Sequence, residues 1–197
     1  MALVVGLGNP GARYARTRHN VGWRVIEILA RRWRARPETG TPAYRAWRAT
    51  LESGAGARTV HLLEPLTFMN LSGTALAEWQ EQHGADELLV VADDVYLPLG
   101  TLRLRVEGSS GGHRGLESIE AMLGSRDYAR LRIGVDTAAS SEAMREHVLE
   151  EFGADEEALV DETLERAAGA VECWAREGPA AAMNRFIRRA PKEDSTP

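Results

Sequence analysis

Five polar side chains stand out by type and by place: Asn9, His19, Asn70, Asp93 and His113. Each follows a short apolar run, so each is expected at a strand end or in the loop after it. An imidazole with a carboxylate makes a general base, because the carboxylate fixes the tautomer and stabilises the charged ring. Asparagine amides bind a carbonyl or a water and donate to an oxyanion. No HExxH or comparable ligand spacing is present, and asparagine is a poor zinc ligand, so a metal is not expected. Water activated by His19 is the natural nucleophile. The set specifies hydrolysis or acyl transfer and leaves the substrate open. The bland alternative is a satisfied core histidine and turn asparagines.

The elements that must position these groups follow from periodicity. Leu3, Val4 and Val5 form a first strand that runs into three glycines. Gly6-Leu7-Gly8-Asn9-Pro10-Gly11 matches the dinucleotide fingerprint, which requires a helix starting at the glycines and an acid after a second strand. The residues that follow, ARYARTRHN, have no apolar face, and Glu27 lies within a helical pattern, so a nicotinamide or flavin site is not supported. Val21 to Arg34 has helical spacing. Tyr44 to Leu51 and Thr59 to Leu63 read as strands of a hairpin, and 37–42 as a loop. The stretch 66–73 (LTFMNLSG) reads as a loop with Phe68 and Met69 exposed and Asn70 placed to cap a helix from Gly73 to His83. Glu87 to Ala92 is a strand buried on both faces that delivers Asp93 and Asp94 at its carboxyl end.

Thr101 to Val106 alternates, with Leu102 and Leu104 on one face and Arg103 and Arg105 on the other. Arginines about 7 Å apart on a strand match successive phosphates as well as a solvated face. Gly108 to Gly115 is a second glycine-rich loop, opening a helix with Leu116, Ile119, Met122 and Leu123 inward; such helix starts bind anions readily. Gly108-x-Ser110-x-Gly112 also matches a nucleophile elbow, with Asp136 and His147 following in order. Against that, the preceding strand alternates charges and the chain is small for an α/β-hydrolase. Leu131 to Val135 is a further strand. Helices are expected over Glu142–Phe152, Asp155–Glu177 and Pro179–Ile187, then a disordered tail over 190–197. The order predicts a single α/β domain over 1–189: three layers, with a central mixed twisted sheet flanked by helices.

At 197 residues the chain can bury a sizeable core. No run approaches the ~18 apolar residues of a membrane span, and Met1 leads straight into the first strand with no signal peptide. Cys173 is the only cysteine, which fits a reducing cytosol. A net charge of −5 argues against nonspecific coating of nucleic acid. Lys192 is the only lysine, so 23 of the 24 basic residues are arginine. Local basic patches remain open, because the acids cluster from Glu142 to Glu165.

Taken together, VGLGNPG…Y…TRHNVG, FMNLSG, Asp93-Asp94…LPLG, GSSGGHRGL and LRIGV resemble the bacterial-type peptidyl-tRNA hydrolases in order and spacing. The resemblance covers residues 2 to about 189 and is weakest in 34–60. It implies cleavage of the ester between a nascent peptide and the 3′ ribose of tRNA, a ribosome-rescue step of translation. It implies a cytoplasmic α/β monomer with no metal or other cofactor and no obligate protein partner. By position, His19 matches the family's catalytic base and Asp93 its orienting carboxylate. Asn9 and Asn70 match amides that bind the peptide backbone and help place water. Tyr14 and Met69 match residues lining the site, and Arg105 and Arg132 match positions that hold tRNA phosphate. Arg114 stands where the family usually has asparagine, and is expected to keep phosphate or ribose affinity through different polar contacts. Tyr96 stands where a second acid is common. The stretch 137–152 resembles the family's lid. Two rival readings remain: a serine esterase using Ser110, and a noncatalytic RNA-binding relative that keeps the fold.

Overall fold

A computed structural model of the chain describes residues 1–54, 56–136 and 147–187. In chain order the strands are β1 (Ala2–Gly6), β2 (Arg36–Pro37), β3 (Tyr44–Ser53), β4 (Gly56–Pro65), β5 (Glu87–Pro98), β6 (Leu102–Arg105) and β7 (Ala129–Asp136). The helices are α1 (Val21–Arg32), α2 (Ser72–His83), α3 (Arg114–Leu123), α4 (Glu157–Glu177) and α5 (Pro179–Phe186). The strands form one mixed sheet in the order β2-β3-β4-β1-β5-β7-β6. Its middle, β4-β1-β5-β7, is parallel, while β3 and β6 add antiparallel flanks. No helix among the described residues is long and apolar enough to cross a membrane.

The alternation of each strand sorts its side chains between two helical layers. Val4, Leu62, Leu89 and Leu131 face α1, α4 and α5, meeting Val25, Leu29, Leu164 and Trp174. Leu3, Val5, Leu63 and Val90 face α2 and α3, meeting Leu76, Trp79, Leu116 and Ile119. The central strands are buried on both faces, which accounts for their near-continuous apolar runs.

The first glycines serve packing. A Cβ on Gly22 would lie 2.5 Å from the Leu7 backbone nitrogen and 2.6 Å from the Val91 carbonyl. The first turn of α1 therefore rests directly on the end of β1 and on Val91 within β5. No helix starts at Gly6–Gly11; short 3-10 turns over Ala12–Tyr14 and Arg18–Asn20 come first. The dinucleotide pattern is thus a packing pattern here.

Several boundaries differ from the sequence expectation. The fifth strand continues past Ala92 to Pro98, with its register irregular between Asp94 and Pro98. Asp93 and Asp94 therefore lie inside a strand, paired with Ile133 and Gly134 of β7. Both hairpin strands are longer than expected, and Arg36–Pro37 pairs with β3 where a loop was expected. Of the helix expected over Glu142–Phe152, only the end is described. After His147 the chain turns, and Glu151 bridges Thr17. Most of the stretch resembling a lid, 137–146, lies outside the described residues, as does the tail from 190 to 197.

Candidate active site

Asp93 is the centre of the site. It is buried on β5, and its Oδ1 accepts from two imidazoles: His19 Nδ1 at 2.7 Å and His113 Nε2 at 3.0 Å. The hydrogen-bond pattern fixes both tautomers. His113 is the N-cap of α3, and its Nδ1 accepts from the backbone N–H groups of Gly115 (3.1 Å) and Leu116 (3.3 Å). Its single ring proton therefore sits on Nε2 and is donated to Asp93. His19 gives its Nδ1 proton to the same oxygen, which leaves Nε2 with a free lone pair in a pocket of about 760 Å³.

Electrostatics agree with that assignment. Burial opposes the Asp93 charge, but the two imidazoles outweigh it and hold its pKa well below the usual carboxylate range. Burial likewise disfavours a charged His19 ring. The charge and hydrogen bond of Asp93 prevail and raise its pKa, while the Arg114 charge pulls it down. The donor atoms of His19, Asp93 and His113 lie within 4.8 Å of one another, a set that resembles metal ligands. His113 does not fit that role: its Nδ1 lone pair is taken by α3, so Nε2 keeps its proton and offers no lone pair to an ion.

The backbone at His19 is held by the 148–150 segment. Its N–H donates to the Val148 carbonyl (2.8 Å), and the Arg18 N–H donates to the Glu150 carbonyl (3.0 Å). The buried Arg18 side chain donates to the Val135 carbonyl and to Glu156, and stacks over Phe152.

Asn9 follows β1 and is buried. The Asn20 side chain mimics a strand partner for it, with Oδ1 accepting from the Asn9 N–H (2.9 Å) and Nδ2 donating to the Asn9 carbonyl (3.0 Å). The Asn9 Oδ1 in turn accepts from the Met69 N–H (2.9 Å), which leaves the Asn9 Nδ2–H₂ to the pocket. Met69 is buried, contrary to the expectation of exposure, because its thioether fills the space over Gly115, where a Cβ would lie 2.5 Å from the sulfur. Phe68 is exposed as expected. Asn70 does not cap α2, whose N-cap is Leu71; it stands exposed in the pocket wall with no side-chain hydrogen bond among the described residues. Tyr14 also lines the pocket, its hydroxyl held by Arg13 at 2.5 Å.

The arginines divide. Arg132 lines the pocket but is buried and internally engaged, donating to Asp94 Oδ2 (3.2 Å) and to the carbonyls of Ser109 (2.9 Å) and Ser110 (2.6 Å). It ties the second glycine-rich loop to β5. Arg105 is exposed on the edge strand β6 and does not line the pocket. Arg114 lines the pocket and is exposed. The nucleophile-elbow pattern fails. Ser110 Oγ accepts from the Gly112 N–H, His147 bonds Glu150, and the strand before Ser110 is an antiparallel edge.

No specific role was expected of Asn20, whose signal is only its place beside His19. His113 carried a clearer one, a polar residue directly before an amphipathic helix. A larger cleft of about 1170 Å³ at the opposite edge of the sheet is lined by Glu38, Arg48, Arg58, His61 and Arg176. Its charges pair with neighbouring acids, so the pocket around His19 is the chemically equipped one.

The peptidyl-tRNA hydrolase family model matches residues 3–194. A peptidyl-tRNA hydrolase of Roseiflexus castenholzii is 46% identical over 197 residues, covering 98% of this chain and 90% of its own length. One from Chloroflexus aggregans is 45% identical, covering 94% and 98%. Among solved structures, the peptidyl-tRNA hydrolase from Acinetobacter baumannii superposes with a TM-score of 0.86 at 32% identity, covering 97% of this chain and 96% of that one. Likeness of this breadth in both sequence and fold makes the chain a member of the peptidyl-tRNA hydrolase family.

Proposed function

We propose that this chain hydrolyses the ester joining an N-blocked peptide to the 3′ ribose of tRNA, with water activated by His19 and Asp93. The observation that carries this reading is the free Nε2 of His19, opposite an Nδ1–H held by a buried carboxylate in an open pocket. A water on Nε2 gives that atom a proton as its oxygen attacks the ester carbonyl. The Nδ1–H···Asp93 bond stabilises the imidazolium that forms. The tetrahedral oxyanion receives N–H donors from Asn9 and Asn70. When the C–O bond to the ribose breaks, the imidazolium returns its proton to the departing 3′ oxygen. The products are free tRNA and a peptide acid.

The remaining roles follow placement. Tyr14 and Met69 shape the wall, Met69 from a buried position. Arg114 meets the tRNA end at the pocket. Arg105 contacts phosphate further out on β6. Arg132 acts as a positioning residue that fixes the 108–112 loop, and its engaged donors leave little for phosphate. The tautomer of His113 favours a metal-free reaction, and the reading includes no cofactor, no obligate protein partner and a cytoplasmic monomer.

The test offers N-acetyl-aminoacyl-tRNA and free aminoacyl-tRNA, each with and without EDTA. Cleavage of the acylated substrate alone, unchanged by the chelator, is expected. Binding of tRNA without cleavage would instead identify a noncatalytic RNA-binding protein.

A further inference from the structure

The residue before His19 is a buried arginine. Arg18 donates to both oxygens of Glu156, Nη2 to Oε2 at 2.6 Å and Nη1 to Oε1 at 3.2 Å, and its Nη1 also donates to the Val135 carbonyl at 3.0 Å. Its guanidinium lies 4.5 Å from the centre of the Phe152 ring. The Arg18 side chain is 6% exposed and that of Glu156 14%. The pairs around it differ. Arg16–Glu157 and Arg24–Asp161 each have one partner out in solvent, where such pairs contribute little.

Glu156 is fixed in its turn. It is the N-cap residue of α4, and its Oε2 also accepts from the Gly153 N–H at 2.7 Å. The main chain repeats the connection. Thr17 bridges Glu151 in antiparallel sense, the Arg18 N–H donates to the Glu150 carbonyl, and the His19 N–H donates to the Val148 carbonyl. Residues 17–19 therefore lie along 148–151, locked at the side by one fork-to-carboxylate contact. A buried ion pair is a poor source of stability, because desolvation offsets most of its attraction; its best-attested use is to fix register. A guanidinium fork on a carboxylate sets distance and angle together. His19 needs that precision, since its Nδ1 must meet Asp93 Oδ1 at 2.7 Å. A displacement of about 1 Å at a reacting group costs about a hundredfold in rate.

We propose that Arg18 and Glu156 are positioning residues for the reaction: their buried fork ties the loop that carries His19 to the start of α4 and holds the imidazole in line with Asp93. Neither side chain lines the pocket, so neither touches the reacting atoms. Val148 and Leu149, from the same tied segment, do line it. The strut thus makes one piece of the base and part of the pocket wall. The groups assigned to the substrate, Asn9, Asn70 and Arg114, stand on other segments, so the strut acts on the base more than on substrate affinity.

This rests on the hydrolase reading given above, so one readout needs no turnover. The decisive variant removes both charges, since loss of one leaves the other buried and unpaired. In Arg18→Met/Glu156→Gln the thioether chain covers Phe152, and the amide oxygen keeps the Gly153 N–H. Urea unfolding is expected to show a folded protein of near wild-type stability. NMR of the His19 ring nitrogens is expected to change from the single Nδ1-protonated tautomer to a mixture of the two, as the bond to Asp93 loosens. Hydrolysis of N-acetyl-aminoacyl-tRNA is expected to lose about tenfold or more in kcat with KM little changed. Arg18→Lys keeps the charge and loses the fork, and is expected to show smaller losses of the same two kinds. An unmoved tautomer or an unmoved kcat in the folded double variant would overturn the proposal, because the pair would then serve the fold alone. Should the double variant not fold, Arg18→Lys decides by the same two readouts. Tautomer mixing in the variant, with no cleavage by wild type, would overturn the hydrolase reading and leave the positioning standing.

Discussion

One carboxylate oxygen, Asp93 Oδ1, accepts hydrogen bonds from two imidazoles, and this sets both their tautomers. His19 is thereby presented as a base, while His113 holds Asp93 from one side and the start of α3 from the other. Removing His113 breaks both ties. His113→Ala is expected to lower kcat about tenfold or more with little change in KM, the value of one hydrogen bond to a charged group. It is also expected to destabilise the fold by about 1 kcal/mol through the lost cap. Single-turnover kinetics and denaturant unfolding read the two effects separately. Unchanged kcat would mean that Asp93 needs only His19. At this scale much of the candidate site was legible: a histidine, an aspartate and two asparagines after apolar runs were expected together, and they line one pocket. The help from Asn20 was not, because a side chain that imitates a strand partner leaves no periodic trace. The committed state of Arg132 was equally hidden, since an arginine on a strand looks the same whether its donors face a phosphate or the protein's own carbonyls.

The elements carry these residues to one edge because the parallel strands β4, β1 and β5 all end there. The close fit of α1 on β1 and β5 sets where the His19 turn begins. Gly22→Ala would place a methyl group against the backbone of Leu7 and Val91. Backbone cannot yield as a flexible side chain does, so a destabilisation of about 2 kcal/mol or more is expected in urea unfolding. A change below about 0.5 kcal/mol would show that α1 can lift without cost. Helices read well from sequence, since α1, α2 and α4 all show apolar residues at helical spacing. Strand ends read less well. The fifth strand runs on through Asp93 and Asp94, whose carboxylates are engaged by imidazoles and by Arg132, and Leu97 beyond them is buried again. The two-residue strand at Arg36–Pro37 sits on the sheet edge, where proline is tolerated and no alternation can announce it.

Across the whole molecule, apolar burial on both faces of the sheet leaves few places for charge, and Glu64 occupies one of them. It is fully buried, with Arg45 at 2.5 Å on Oε2 and no partner for Oε1 among the described residues. Burial pushes its pKa up to about 7, against the pull of Arg45 and with help from Glu27. A carboxyl whose folded pKa is raised carries no penalty below its ordinary value. The penalty grows as pH rises and is complete above about 7. Stability is therefore expected to fall between mildly acidic and neutral pH on account of this residue. Glu64→Gln should remove that dependence and gain up to about 3 kcal/mol at pH 8, with little gain at pH 4. Thermal melts at the two pH values decide it, and an equal effect at both would contradict the assignment. The three-layer plan was legible from the order of strands and helices, whereas a buried carboxylate inside a strand pattern gave no warning, because sequence alternation does not say which faces are covered.

The central claim is that His19 Nε2 takes the proton of the attacking water. Single-turnover hydrolysis of N-acetyl-aminoacyl-tRNA by wild type, His19→Ala and Ser110→Ala tests it most directly. The account predicts a loss of at least ~100-fold in His19→Ala, as for removal of a general base, with Ser110→Ala near wild type. Cleavage that survives His19→Ala and disappears in Ser110→Ala would contradict it and move the chemistry to the serine.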